Sequence, residues 1–259
     1  MPSDTVQQVA DMISSADRIT VFTGAGMSAE SGIATFRSGD DGLWGRFDPM
    51  MLASVDGWEA DPHLVWGWYA WRIGQLRDVV PNAGHRALAD LAQHKVVDVV
   101  TQNVDDLHER AGSTVVSHLH GSLTATRCSV CRAPYDGPVA RPYHEQIDGD
   151  DLDSLRLAPP TCARCGGDVR PGVVWFGEML PEREWASAVD SFDACDLVLV
   201  VGTSGIVYPA AGLPDRAAGR GVPIIEVNPD ESALSGLATH SIRSTAASAL
   251  PLLARVIDG

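Results

Sequence analysis

Short β-rich runs recur along this chain, and each is closed by small or polar residues. Arg18–Phe22 runs into Thr23-Gly24-Ala25-Gly26, Val96–Val100 into Thr101-Gln102-Asn103, and Val115–Leu119 into His120-Gly121. Leu197–Val201 runs into Gly202-Thr203-Ser204, and Pro223–Val227 into Asn228-Pro229. Continuous apolar runs such as Leu197–Val201 suit strands covered on both faces. Segments that read as helices fill the gaps: Asp4–Ser15, Asp61–Val79, Asn82–Gln93, Glu182–Ser191, Ala210–Ala218 and Ala246–Ile257. The alternation predicts an α/β fold with a parallel sheet and helices on both faces. Such sheets bind ligands at the carboxyl ends of their strands.

Two stretches break the pattern. Trp44–Pro81 holds five of the seven tryptophans and reads as a helical insert. Gly121–Arg170 holds paired cysteines and reads as a zinc insert, with a solvated acidic loop around Asp148–Asp153. The expected domains are therefore 1–43, 82–120 and 171–259 for the sheet, 44–81 for the helical insert and 121–170 for the zinc insert.

At 259 residues and 45 % hydrophobic, the chain has enough apolar material for a full core. No apolar run reaches the roughly 18 residues a bilayer span requires, so no membrane association is expected. The N-terminus, Met1-Pro2-Ser3-Asp4, is polar and lacks a basic stretch, which predicts no signal peptide and a cytoplasmic location. The chain is expected to be monomeric. A formal charge of −15 argues against nucleic acid as a ligand, because phosphate binding needs a positive field. The same charge could steer lysine-rich protein surfaces toward the molecule, although solubility alone would account for it.

The cysteines carry the first chemistry. Cys128-Ser129-Val130-Cys131 and Cys162-Ala163-Arg164-Cys165 have the spacing of two zinc knuckles. Four thiolates close a tetrahedral shell and leave no position for substrate, so the metal reads as structural. Cys195 stands outside the pattern, just before an apolar run, and reads as a buried inert thiol. The first strand-to-helix turn, Gly24-Ala25-Gly26, could bring backbone amides close to a pyrophosphate. Taken alone the signal is weak, since Ala29 stands where a general dinucleotide fingerprint has glycine.

The turn does not stand alone. Gly24-Ala25-Gly26, Ser28, Ser31-Gly32-Ile33 and Phe36-Arg37 are followed in order by Thr101-Gln102-Asn103, Asp105, Leu107-His108 and His120-Gly121. Then come Gly202-Thr203-Ser204, Val207, Pro209-Ala210-Ala211 and Glu226-Val227-Asn228. With the cysteines interposed after His120, this series closely resembles the sirtuin family of NAD-dependent protein deacylases. The resemblance runs from about Ile19 to Leu250. One departure is Ala34, where many members carry proline or arginine.

The resemblance implies a Rossmann-like NAD-binding domain and a set of roles. Gly24, Ala25 and Gly26, in the loop that includes Ser28, would line the pyrophosphate. Phe36 and Arg37 would cover the nicotinamide ribose, and Gln102, Asn103 and Asp105 would surround the ribose and nicotinamide. Gly202, Thr203 and Ser204 would hold phosphate and the adenosine side. Asn228 would contact the adenosine ribose, and Ala246 would lie near adenine. His120 would be the catalytic base, which its ordinary pKa near 6.5 suits. His108 is expected to be structural. An extended acyl-lysine peptide would pair with the edge of the segment Gly172–Glu178, at Val173, Val174, Trp175, Phe176 and Gly177.

Tyr69 and Arg72 lie three apart in a predicted helix and so share a face. At random such a pair marks a surface ridge. In the family it resembles the signature of the branch that removes succinyl, malonyl and glutaryl groups, and Ala53 matches the small residue that widens the acyl pocket there. A guanidinium fork pairs well with the carboxylate that ends such a chain. The implied reaction transfers the acyl group from lysine to ADP-ribose and consumes NAD, while zinc only supports its insert. Rivals are an NAD-dependent mono-ADP-ribosyltransferase, a non-catalytic NAD-sensing peptide-binding module and a dehydrogenase. Tyr69 with Arg72, His120 with Asn103, and the Gln102–Asp105 motif respectively argue against them.

Overall fold

The computed structural model describes residues 3–33, 48–139 and 152–255. Phe36 and Arg37 lie outside the described residues. The chain divides into two compact units, one of Met1–Ile33, Val80–Leu119 and Pro181–Gly259, the other of Ala34–Val79 and His120–Leu180.

The first unit contains a six-stranded sheet. In chain order its elements are helix α1 (Ser3–Ser15), β1 (Arg18–Thr23), α5 (Ala83–Leu91), β2 (Val96–Thr101), the short α6 (Leu107–Arg110) and β3 (Val115–His118). After the second unit come α7 (Glu182–Ala194), β6 (Leu197–Val201), α8 (Leu213–Gly219), β7 (Ile224–Val227), β8 (His240–Ile242) and α9 (Ala246–Ala254). The strand order is β3-β2-β1-β6-β7-β8 and every pairing is parallel. This is the order of a doubly wound nucleotide-binding sheet, with the reversal between β1 and β6.

Both faces are covered, as the apolar runs require. One layer joins Ile19 and Val21, Val97 and Val99, Leu197 and Leu199, and Ile225 to Val9 and Ile13 of α1, Leu88 of α5 and Leu250 of α9. On the opposite face Phe22 meets Phe192 of α7 edge to face at 5.8 Å. Beside them Thr20 Oγ1 hydrogen-bonds Ser191 Oγ at 2.7 Å, satisfying two buried hydroxyls. Asn82 starts α5 with a capping box, accepting from the main-chain N–H of His85 while His85 Nδ1 accepts from Asn82.

The second unit holds helices α2 (Pro49–Leu52), α3 (Val55–Ala60) and α4 (Pro62–Asp78), with the antiparallel ribbon β4 (Gly121–Cys128) and β5 (Val169–Val173). Asp61 caps α4 by accepting from Leu64 N–H at 3.0 Å, and Pro62 enters the first turn. The helix is buried nearly all round. At Gly67 a Cβ would fall 1.6 Å from the Leu155 carbonyl oxygen, so a second segment crosses the helix where no side chain could stand. No helix among the described residues is long and apolar enough to cross a membrane.

Candidate active site

Strand register lines up one end of the sheet. Thr23 pairs with both Thr101 and Val201, and Val201 pairs with Val227. The residues that follow, Gly24, Gln102, Gly202 and Asn228, therefore emerge side by side at the carboxyl ends. The loops after β1 and β6 interlock there. Gly24 N–H donates to Val201 O at 3.0 Å and Gly26 N–H to Gly202 O at 2.8 Å. A Cβ on Gly26 would lie 2.8 Å from Gly202 Cα, and one on Gly24 equally close to Thr203 Cα. Gly202 itself has φ +61°, a left-handed conformation that glycine adopts without strain. The glycines thus permit two loops to touch at the switch point, a demand separate from any ligand.

A buried polar network follows. Ser28 Oγ donates to Asp105 Oδ2 at 3.0 Å, and Asn103 Nδ2 donates to Ser28 Oγ at 3.3 Å. Leu107 N–H donates to Asp105 Oδ1. Burial pushes the Asp105 carboxyl up, with the Leu107 N–H and the Ser28 hydroxyl opposing. Gln102 Nε2 donates to Thr203 Oγ1 at 2.9 Å, and Asn228 Nδ2 to Thr203 O at 2.9 Å. Ser204 continues the β6 loop, where its carbonyl accepts from Ala233 N–H. Asn82 Nδ2 holds Met27 O at 2.8 Å, fixing the turn that includes Ala25. Ala246 opens α9, and the next N–H, of Ala247, donates to Glu30 Oε2 just beyond that turn.

His108 is fully buried, with Nε2 3.1 Å from Thr23 Oγ1. Its ring meets His85 at 4.9 Å. Burial pushes both down, His85 to about 4 and His108 well below its ordinary range, so both rings are neutral. His108 therefore braces the end of β1. Cys195 is buried too, its thiol pushed up by burial.

The remaining candidate residues lie in the second unit. His120 is half-buried, and its carbonyl accepts from Val174 N–H at 2.8 Å. Gly121 has φ +74°, and a Cβ there would lie 2.2 Å from Gly172 O. The segment expected as one strand edge, Gly172–Glu178, is a strand only as far as Val173. Beyond it Phe176 N–H donates to Ala53 O at 2.8 Å and Glu178 N–H turns back to Trp175 O. The turn is held by Arg170, a sequence-silent residue. Its guanidinium grips both Glu178 carboxylate oxygens at 2.7 and 2.9 Å and covers the Trp175 ring at 3.5 Å. Burial pushes the Glu178 carboxyl up, but Arg170 holds it below its ordinary range. Gly177, at φ +87°, closes the turn.

Tyr69 and Arg72 are inside the protein, not on a surface ridge: they are 3 % and 7 % exposed. The Arg72 guanidinium lies 5.0 Å from the Trp68 ring centre. Trp175 Nε1 donates to Tyr69 Oη at 3.1 Å. Burial pushes the Tyr69 hydroxyl to about 12, with Arg72 opposing. Ala53, also buried, sits beside the Ser54–Phe176 bridge.

The four cysteine sulfurs of Cys128, Cys131, Cys162 and Cys165 all lie within 4.8 Å of one another. Cys131 and Val130 N–H groups donate to Cys128 Sγ, and they hold that thiol down at about 6. A convergent, soft, four-thiol donor set with N–H donors around it fits a tetrahedral zinc.

The Sir2 family matches residues 24–209. The NAD-dependent protein deacylase 2 of Corynebacterium efficiens is 52 % identical over 260 residues, 98 % of this chain and 98 % of that protein. The NAD-dependent protein deacylase of Mycobacterium tuberculosis is 53 % identical over 234 residues, 90 % of this chain and 95 % of that one. The crystal structure of a Sir2 homologue in complex with NAD superposes with a TM-score of 0.86 at 42 % identity, covering 97 % of this chain and 93 % of the other. With the switch-point glycines, the polar network and the four-cysteine cluster in one sequence, the chain belongs to the Sir2 family, the sirtuins.

Proposed function

We propose that this chain is an NAD-dependent protein-lysine deacylase that prefers succinyl and malonyl groups to acetyl. The deacylase reading follows from the family and from relatives that carry that name. The acyl preference is carried by one observation: Tyr69 and Arg72 lie on one helix and are both buried. The indole N–H of Trp175 can only donate, so Tyr69 Oη accepts it and keeps its own hydrogen for another acceptor. With its hydroxyl pushed to about 12, Tyr69 remains a donor throughout the working pH range. A hydroxyl donor and a guanidinium fork match a terminal carboxylate and have no such partner on acetyl.

The residues fit NAD. Gln102, Asn103, Asp105, Thr203, Ser204 and Asn228 offer donors and acceptors at the sheet end where the β1 and β6 loops meet. NAD supplies an electrophilic ribose carbon and the ADP-ribose that takes the acyl group, so nicotinamide and O-acyl-ADP-ribose are the products. In this reading Asn103, Asp105 and Ser28 orient the ribose and nicotinamide end. His120, as the base, takes a proton from the ribose hydroxyls. The second-unit backbone around Val173–Gly177 binds the acyl-lysine peptide, and zinc holds the cysteine knuckles in shape. Five free thiols, four of them in a metal set, suit a reducing, cytoplasmic setting.

The test is NAD-dependent turnover of matched succinyl-lysine and acetyl-lysine peptides by the wild type and Arg72→Met. A hydrogen bond to a charged group contributes about 1.5–3 kcal/mol, roughly ten- to over a hundredfold in specificity. The variant is expected to lose that factor on the succinyl peptide and keep its acetyl activity. Preference for acetyl in the wild type, unchanged in Arg72→Met, would sink the acyl assignment. Cleavage of NAD with label appearing on protein would favour ADP-ribosyl transfer.

A further inference from the structure

His118 and Glu109 have no part in the reading above. His118 ends β3, two residues before His120. Its Nε2 lies 2.6 Å from Glu109 Oε1, and its Nδ1 lies 3.2 Å from the main-chain oxygen of Asn103. Its own N–H donates to Glu184 Oε2 at 2.9 Å. A carbonyl and a carboxylate can only accept, and a neutral imidazole has a single N–H. Both ring contacts are hydrogen bonds together only when His118 is an imidazolium. Asn103 is the point that matters, because β2 has just ended and the chain turns there. Its N–H donates to Thr101 Oγ1 at 3.0 Å and its side chain donates to Ser28.

We propose that His118, as an imidazolium clamped by Glu109, is a positioning residue that fixes the Asn103 peptide and so the orientation of Asn103 toward NAD. The inference rests on the reading of Gln102, Asn103 and Asp105 as the ribose and nicotinamide wall. The ionisable groups around the ring are Glu109 and His108 of α6, Asp105 ahead of that helix, and Glu184 of α7. His108 is neutral through burial. Burial alone would push His118 down, but Glu109, the Asn103 carbonyl and Asp105 outweigh it and hold the ring above the ordinary 6.5. Glu109 is itself buried in part, yet the His118 contact keeps it below its ordinary range. The clamp is present below the folded pKa of His118 and is released as pH rises through it.

The experiment pairs NMR titration of the His118 imidazole nitrogens in the full chain with NAD kinetics on an acyl-lysine peptide. His118→Gln provides the resonance assignment. The ring is expected to be charged at about pH 7 and to titrate at lower pH in Glu109→Gln, which removes the facing carboxylate. KM for NAD is expected to rise on the order of tenfold in both variants, with kcat changed much less. The alkaline limb of kcat/KM should move to lower pH in Glu109→Gln. A purely structural role would lower stability without moving that limb. A neutral ring at about pH 7, or an unmoved limb with unchanged KM, overturns the proposal. Should His118→Gln fail to fold, Glu109→Gln decides it through the ring titration and the limb. Wild type without any NAD-dependent turnover defeats the deacylase reading and this one together, whereas turnover with a neutral ring defeats only this one.

Discussion

Glu226 of β7 is 1 % exposed and accepts from the hydroxyls of Ser232, Ser235 and Ser241 and from Arg243 Nη1 at 2.8 Å. Those contacts tie down the chain just after Asn228. Burial pushes the carboxyl up, but the hydroxyls and the guanidinium leave it below its ordinary 4.5. A carboxyl with a depressed folded pKa adds stability that is present above its unfolded value and is lost as pH falls through the folded one. Glu226→Gln is therefore expected to lose about 1–3 kcal/mol in urea unfolding near neutral pH. The gap to wild type should close as pH falls below the ordinary 4.5. A gap that stays constant through that range would show that charge is irrelevant there. The motif Glu226-Val227-Asn228 is visible in the sequence, but its acidic member's partners are not, since nothing in Ser232, Ser235, Ser241 or Arg243 marks them as a set.

Among elements, the four cysteines matter through the ribbon they join. Cys128 ends β4 and pairs with Val169 at the start of β5, and the second knuckle immediately precedes β5. Removing a ligand should loosen that ribbon. Cys131→Ser is expected to lower bound zinc from about one per chain to near none, and to speed hydrogen exchange at Val169, Arg170, Gly172 and Val173. Unchanged zinc content would exclude the four-thiol site. The central strands were legible because each is rich in Val, Ile and Leu and ends in small or polar residues, and β6, Leu197–Val201, is a continuous apolar run. The edge strand β8, His240–Ile242, carries no such run and is held by its ladder to β7. Likewise β5 has the sequence Val169-Arg170-Pro171-Gly172-Val173, which strand propensity disfavours, and exists because β4 lies beside it. The expected helix Ala210–Ala218 divides into a 3₁₀ turn at Ala210–Gly212 and α8, whose first turn contains Pro214.

For the whole molecule, the excess of acid over base is large: 34 Asp and Glu against 19 Lys and Arg, for a net −15. Such a field attracts basic peptides over distances of about a Debye length, roughly 10 Å at 0.1 M salt. KM for an acyl-lysine peptide flanked by lysines is expected to rise several-fold between about 0.05 and 0.5 M salt, with kcat nearly constant. A neutral peptide of the same length should show little change. Equal salt dependence for both peptides would reduce the charge to a solubility device.

Periodicity and spacing in the sequence by themselves determined the parallel sheet, the polar residues closing each strand, and the cysteine pairs. Each of these is local: it depends on residues a few positions apart. Tertiary structure decided what depends on remote neighbours. It brought Gly26 against Gly202, turned Tyr69 and Arg72 inward, ended β5 at Val173 by the Arg170–Glu178 pair, and set His118 between Glu109 and the Asn103 carbonyl. Burial and hydrogen-bond partners fix the ionisation of a side chain, and neither exists until the chain has folded.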